Sequence, residues 1–320
     1  MNACLIMGHN NPLQIIRLAR QLIKNKKNDV FIHLDSSMSK KDIQQVNKFC
    51  AENGEVHLCS KRIHGVLDRR SLVDIVFIMI SEAKEVEKCK NKHYEYYLLL
   101  SGQDYLVKNI NYINDELTKN YPKPYIDCTP YDRDNWIYHK FVYCKMSILY
   151  NDWITRHFSK GLIRSALRAS AIIFTKILSI IRKDSYSKLN QENILIYGGS
   201  AWWILPDIII EYITDKYNNK DKVSELILNE SSTPEETYFQ SMSMMSPFSN
   251  MIEVNPKDMV LQNCKTWAYF FDEEKPFKGH PYIFTVKEYD KLKECDFWFA
   301  RKFDMTIDEE ILDKLDSING

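Results

Sequence analysis

No C-x-x-C pair occurs among the eight cysteines, at positions 4, 50, 59, 89, 128, 144, 264 and 295, which argues against a zinc site built on paired thiolates. In a cytosolic chain the same scatter argues against structural disulfides, so the cysteines read as free thiols. There is no surplus of charge either. The 43 basic and 43 acidic residues cancel, so no global field favours nucleic acid and only local basic clusters are left to consider. The start, Met1-Asn-Ala-Cys-Leu-Ile-Met7, lacks a basic leader, and its apolar run breaks at once on Gly8-His-Asn-Asn-Pro12. It reads as neither signal peptide nor membrane anchor, and the expectation is a cytoplasmic protein. What is present, 45% apolar residues and 12% aromatics over 320 residues, excludes a disordered chain and suffices for one large α/β core or two modest ones.

Ala3 to Met7 is a short apolar run ending in Gly8. Pro12 then opens a helix whose Leu13, Ile16, Ala19 and Ile23 share a face while Arg17, Arg20 and Lys24 point away. Val30 to Leu34 is a second β-type run ending at Asp35, so the loops at His9 and Asp35 fall at the carboxyl ends of adjacent strands of a βαβ unit. Ligands of open α/β sheets bind at that edge. Asp35 could accept a hydrogen bond from a nucleotide ribose there, or make an Asx turn into Ser36 to Ser39. Ser71 to Ala83 reads as a helix. Tyr96 to Ser101 is an apolar strand too continuous for a sheet edge, and the turn at Gly102 leaves Asp104 as its polar tip.

Further on, Ile194 to Tyr197 and Ala201 to Leu205 are strand runs joined through Gly198-Gly199-Ser200, which permits a bend and a close backbone approach by a ligand. Trp202 and Trp203 follow. On a strand they point to opposite faces, so one enters the core and the other offers a ring to a sugar; Trp203 is assigned to the sugar, with two core tryptophans as the alternative. Pro206 opens a helix through Tyr217, and a charged stretch runs on to Glu230. In Thr233-Pro-Glu-Glu-Thr-Tyr-Phe-Gln240, Thr233 suits an N-cap, Pro234 the first helical position and Glu236 the third, the pattern of a capping box. The same position would fix a carboxylate able to take the proton of a substrate hydroxyl.

Two local patterns point elsewhere. Asp132-Arg-Asp134 matches the D-x-D that binds a divalent cation in many nucleotide-sugar transferases, but it lies in a Tyr/Asp/Asn/Trp-rich loop beyond the strand at Tyr125 to Cys128 and reads as a surface loop, not a metal site. From Lys160 to Lys183 an apolar series is interrupted by Arg164, Arg168, Lys176 and Arg182 with no acidic residue. It does not read as a spanning helix. It is either a core helix with a solvated basic face or a segment lying in the plane of an anionic membrane, a peripheral contact at the inner membrane face.

The ordered set Met7-Gly-His9, Ile32-His-Leu-Asp35, Leu98-Leu-Leu-Ser-Gly-Gln-Asp104, Tyr197-Gly-Gly-Ser-Ala-Trp-Trp-Ile-Leu205, the Thr233 motif, Trp267-Ala-Tyr269, His280-Pro281 and Phe299-Ala-Arg-Lys-Phe-Asp304 resembles the core-2/I-branching glycosyltransferases. These include β-1,6-N-acetylglucosaminyltransferases and relatives of peptide O-xylosyltransferases. The resemblance spans nearly the whole chain. It implies a GT-A type fold over residues 1–320, a mixed, mostly parallel sheet between helices, with 1–130 as the nucleotide-binding part and 131–320 as the acceptor-binding and catalytic part. Because animal members carry a Golgi anchor and disulfides, it also implies a soluble bacterial counterpart.

Residue by residue, the resemblance makes Glu236 the catalytic glutamate, with Glu235 beside it in a capping or acceptor role. Lys302 takes the place of the diphosphate-binding lysine, and Arg301 is free to add charge or to pair with Asp304. Asp35 takes the nucleotide contact, with His9 on the donor side. The family's second basic clamp residue is not an arginine here; Lys278 or His280 could fill it. Trp267 and Tyr269 match a W-x-Y that contacts the acceptor, joined by Trp203 and Asp104, with aromatic core filling as the alternative for the W-x-Y pair. The segment from Arg62 to Asp68 replaces a Trp-Gly-rich loop, leaving the donor contacts there open. The family works without metal, so no cofactor is expected besides the UDP-sugar donor.

Sugar transfer from a nucleotide diphosphate needs a base for the acceptor hydroxyl, positive charge on the departing diphosphate and a platform for the acceptor ring. Without a metal, cationic side chains must supply the charge. The expected function is therefore an inverting, metal-independent transferase that moves a sugar, N-acetylglucosamine by resemblance, from its UDP donor to a glycan or glycoconjugate hydroxyl deprotonated by Glu236. Two other readings compete. In a non-catalytic glycan-binding homologue Glu236 would only cap its helix, whereas a glycoside hydrolase would oppose Glu236 and Asp104 but leave the basic pair without a purpose.

Overall fold

The computed structural model describes residues 1–67, 69–130, 165–167, 169–170, 173, 194–231, 233–256, 263–268 and 282–318. The first part alternates strand and helix: β1 (Asn2–Gly8), α1 (Pro12–Leu22), β2 (Asn28–Leu34), α2 (Lys40–Glu52), β3 (Val56–Leu58), α3 (Arg70–Lys90), β4 (Tyr96–Ser101), β5 (Asp104–Leu106), α4 (Ile110–Asn120) and β6 (Thr129–Pro130). Later come β7 (Tyr197–Gly198), β8 (Ile204–Pro206), α5 (Asp207–Asn218), α6 (Lys222–Glu230), a 3-10 turn (Pro234–Glu236), α7 (Tyr238–Met244), β9 (Thr266–Ala268), α8 (Tyr289–Glu294), β10 (Phe299–Arg301) and α9 (Glu310–Ile318).

Five strands form the main sheet in the order β3-β2-β1-β4-β8. The first four run parallel and β8 antiparallel to β4, so the expected α/β architecture, a mixed, mostly parallel sheet flanked by helices, is what forms. It is compatible with a GT-A type fold. Strands β2 and β4 are buried along their whole length and β1 along nearly all of it, which is why they read as continuous apolar runs and not as alternating ones. Successive residues then serve opposite faces: Cys4 and Ile6 pack with Ile15, Leu18 and Leu22 on one side, Ala3 and Leu5 with Phe31, Val76 and Ile80 on the other. The register pairs Gly8 with Leu34 and Met7 with Ser101. Residues His9, Asp35 and Gly102 therefore leave the sheet at one carboxyl edge.

A smaller sheet, β5-β10-β9, stands at that edge. In it Arg301 is paired in register with Asp104 and Ala300 with Trp267.

Three local expectations change. The buried face of α1 is Gln14, Ile15, Leu18, Ala19, Gln21 and Leu22, while Leu13 is 53% exposed. The helix is rotated because Ile15 must fill the space over the two glycine turns at Gly8 and Gly102. Arg17 does not simply point away: its guanidinium bonds Asp313 and, at 2.8 Å, Asp316, docking α9 on α1. The charged stretch before Glu230 is the helix α6, whose Asp221 carboxylate caps Val223 and Ser224 at 3.0 and 3.2 Å.

The D-x-D at Asp132 and Asp134, most of 160–183, and Tyr269, Lys278 and His280 lie outside the described residues. Among the described residues no helix is long and apolar enough to cross a membrane, and the cysteines, at 4, 50, 59, 89, 128, 264 and 295, are free thiols.

Candidate active site

Glu236 ends the 3-10 turn, and the expected capping box does not form around it. Thr233 makes no side-chain cap bond, and its buried hydroxyl oxygen finds no hydrogen-bond partner among the described residues. The reason is backbone shape: Thr237, at φ −133°, interrupts the turn, and the α-helix starts only at Tyr238. A true capping box does form elsewhere, at Thr285 and Glu288. The turn is held from behind instead. Tyr238 and Phe239, both buried, pack against Phe77 of α3 at 5.9 and 5.7 Å between ring centroids, and Phe239 packs on Trp203 at 4.7 Å. In front, the Gly199 N–H donates to the Glu236 carbonyl at 2.9 Å, and Gln240 Nε2 donates to the Ser200 carbonyl at 2.6 Å. Glu235 and Glu236 are both half-buried.

The Gly198-Gly199-Ser200 connection makes a close backbone approach, as expected, but its neighbour is the chain itself. A Cβ at Gly199 would stand 2.0 Å from the Asp127 carbonyl oxygen. The buried Asp127 in turn accepts from the Asn263 and Cys264 N–H groups at 2.9 and 3.0 Å, which fixes the turn entering β9 and thus the backbone of Trp267.

The two tryptophans divide, and the one assigned to the sugar is the one in the core. Trp203 is 1% exposed, locked in the core against Phe239, so it offers no ring to a sugar. Because the Leu99 N–H donates to its carbonyl and Ile204 pairs with Leu98, the pleat turns Trp203 inward. Half-buried Trp202 takes the other side, and the Arg301 guanidinium lies 4.1 Å above its ring, a cation–π contact.

Arg301 and Lys302 are carried at the sheet edge by two fully buried anchors, Phe299 and Phe303. Asp104, expected as an exposed acceptor contact, is 0% exposed beneath Arg301. Its strand neighbours leave it no route to solvent, and its Oδ2 accepts from the Ser101 N–H at 2.7 Å. Oδ1 faces Arg301 Nε at 3.5 Å, longer than a hydrogen bond. Burial pushes the Asp104 carboxyl up to about 6, against the opposing pull of Arg301, the Ser101 amide and Lys302. Burial likewise lowers the pKa of Arg301, opposed by Asp104, and that of Lys302, with the Arg301 charge adding to the effect. His9 stands exposed beside them. Partial burial of its ring lowers its pKa, Lys302 and Arg301 lower it further, and Asp35 opposes them. Of the expected donor-side residues, Asp35, Arg301 and Lys302 thus all act on the His9 ring through their charges.

The H-x-D motif acts as a loop anchor. Residues 33 and 35 share a face of the chain leaving β2. His33 Nε2 accepts from the Ile63 N–H at 3.1 Å, Asp35 Oδ2 from the Gly65 N–H at 2.7 Å, and Asp35 Oδ1 contacts His64 Nδ1 at 2.9 Å. The Asx turn also forms, with Ser37 N–H donating to Asp35 Oδ1 at 2.8 Å. Both Asp35 oxygens are therefore in use within the protein. Burial would raise its pKa, but the hydrogen bonds from Ser37, His64 and Gly65 outweigh that and hold the carboxyl well below its usual range. Burial pushes the His33 imidazole down to about 4, so it stays a neutral acceptor.

No family model matches the chain. It is 22% identical over 320 aligned residues to a β-glucuronosyltransferase of Arabidopsis thaliana, an alignment that covers 98% of this chain and 65% of that protein. The chain is thus distantly similar, over nearly all of its length, to a plant glycosyltransferase, a likeness that does not single out the core-2 branching enzymes.

Proposed function

We propose that the chain is a glycosyltransferase that moves a sugar from a UDP-sugar to a hydroxyl of a glycan or glycoconjugate, by single displacement with inversion and without metal. One observation carries the proposal. A single short connection joins the candidate base to the candidate clamp: Gly199 bonds the main chain of Glu236, and three residues on, Trp202 lies under Arg301, the neighbour of Lys302. The distant likeness to a glycosyltransferase supports the general activity.

In this reading the Glu236 carboxylate takes the acceptor hydroxyl proton as that oxygen bonds the anomeric carbon, and the bond from that carbon to the diphosphate breaks with its electron pair leaving on UDP. Lys302, with Arg301 behind it, stabilises the charge that grows on the diphosphate. Asp104 orients Arg301 instead of touching the acceptor, and Trp202 replaces Trp203 as the ring at the site. Residues 1–130 supply the nucleotide edge, and 131–320 supply the base and the acceptor strand that carries Trp267 and leads to Tyr269. The donor is N-acetylglucosamine by the resemblance of motifs, or glucuronate by the name of the plant relative.

A thermal-unfolding screen of UDP-sugars identifies the donor, since a ligand at a hundred times its dissociation constant stabilises by about 2.7 kcal/mol. With that donor, Glu236→Gln is expected to abolish most turnover and keep UDP affinity. Lys302→Ala is expected to lose about a hundredfold in kcat/KM, and EDTA is expected to leave the rate unchanged. Normal turnover by Glu236→Gln overturns the mechanism, and a strict need for manganese or magnesium returns attention to Asp132 and Asp134.

A further inference from the structure

Gln14 is a polar residue in the first turn of α1, yet it is 1% exposed. Burying an amide is costly unless all its groups find partners, and here they do. Nε2 donates to the Gly102 carbonyl at 3.0 Å and to the Phe303 carbonyl at 2.9 Å, while Oε1 accepts from the Met305 N–H at 2.9 Å. The three partners are 88, 289 and 291 residues away in sequence, so this side chain is a meeting point of the β1–β4 edge and the chain that leaves β10.

Lys302 hangs between these contacts. Its N–H donates to the Tyr282 carbonyl at 3.1 Å and its carbonyl accepts from Phe284 at 2.9 Å, while the next N–H, of Phe303, donates to the Gln103 carbonyl at 2.9 Å. The Gly102–Gln103 turn is itself immobilised: Gly102 donates to the Met7 carbonyl at 2.9 Å, and Ile15 fills the space over it so closely that an added Cβ would stand 2.8 Å from Ile15 Cγ1. An apolar side chain at position 14 would fill the same volume but leave the Phe303 carbonyl and Met305 N–H without this partner.

We propose that Gln14 is a positioning residue for the donor clamp: its carboxamide sets the height of the 302–305 backbone over the sheet edge, and with it the reach of Lys302 to the donor diphosphate. This rests on the assignment of Lys302 to the diphosphate. Gln14→Met keeps the length and volume and removes the hydrogen bonds. Gln14→Asn keeps the amide, withdraws it by one methylene, and serves for the same measurements if the first variant does not fold.

The test is a double-mutant cycle on UDP affinity, measured by calorimetry for wild type, Gln14→Met, Lys302→Ala and the double variant, with donor and acceptor KM measured in parallel. The expected result is that Gln14→Met weakens UDP binding and raises the donor KM by about tenfold, leaves the acceptor KM within about twofold, and adds less than about twofold to the UDP dissociation constant once Lys302 is Ala. A strong effect of Lys302→Ala with either no effect of Gln14→Met or fully independent losses makes Gln14 a plain packing residue and overturns the inference. An unchanged UDP affinity in Lys302→Ala overturns the assignment of the clamp itself, and the inference with it.

Discussion

Gly199→Ala is the perturbation that most directly tests whether the backbone between Asp127 and Glu236 holds the base. The new Cβ would stand 2.0 Å from the Asp127 carbonyl oxygen, 2.7 Å from its carbonyl carbon and 2.8 Å from its Cβ, whereas ordinary contact begins at 3.4 Å. No side chain rotation relieves a clash with main chain, so the loop must retreat by about 1.4 Å. That retreat pulls on the 2.9 Å hydrogen bond from the Gly199 N–H to the Glu236 carbonyl. Overpacking of this kind costs about 1–3 kcal/mol. With an unfolding entropy of roughly 2.1 cal/mol/K per residue over 320 residues, the upper figure lowers Tm by about 4 °C. The effect on chemistry is expected to be larger, because displacing a catalytic group by about 1 Å can cost about a hundredfold in rate. The assay is release of UDP from the identified donor in the presence of acceptor, run beside calorimetric melts. Gly54→Ala is the control, since a Cβ at Gly54 meets nothing within 4 Å. If Gly199→Ala melts and turns over as wild type while Lys302→Ala remains impaired, the loop does not position Glu236.

Trp203→Ala, which empties a core site against Phe239, is expected to cost about 3–5 kcal/mol in denaturant unfolding. Trp202→Ala is expected to cost much less stability and to raise the donor KM by releasing Arg301; the reverse order would return the sugar-facing role to Trp203. The neutral His33, held at about 4 against an ordinary 6.5, stays unprotonated in the fold while the unfolded chain takes up the proton. Its contribution to stability is therefore present above pH 6.5 and is lost progressively as pH falls from about 6.5 to about 4, by up to about 3 kcal/mol. His33→Gln, which cannot titrate, is expected to flatten the stability curve in that window when denaturant midpoints are compared from pH 4 to 7, and an unchanged slope would show that Ile63 does not depend on a neutral imidazole.

The alternation of apolar runs and helical spacing by itself determined the parallel core and placed His9, Asp35 and the Gly102 turn at one carboxyl edge, because strand period and burial are local properties written along the chain. Arg301 and Lys302 were marked by the resemblance of the Phe299-Ala-Arg-Lys-Phe-Asp304 motif, whose Phe299 and Phe303 prove to be fully buried anchors. What the chain alone left open was decided by contacts between residues far apart in sequence. Trp202 and Trp203 are equivalent as letters, and only the pairing of Leu98 with Ile204 turned the second one inward. Asp104 looked like an exposed tip until β10 covered it with Arg301. Gln14 broke the apolar pattern of its helix and carried no local signal, since its partners at Gly102, Phe303 and Met305 come together only in the fold. The capping box failed because a cap depends on the backbone angles of the following residues, and those are set here by Tyr238 and Phe239 seeking the core. Periodicity reports which face a residue turns toward the core; which polar group meets which is fixed by tertiary packing, because hydrogen bonds are specific to angstroms and burial is not.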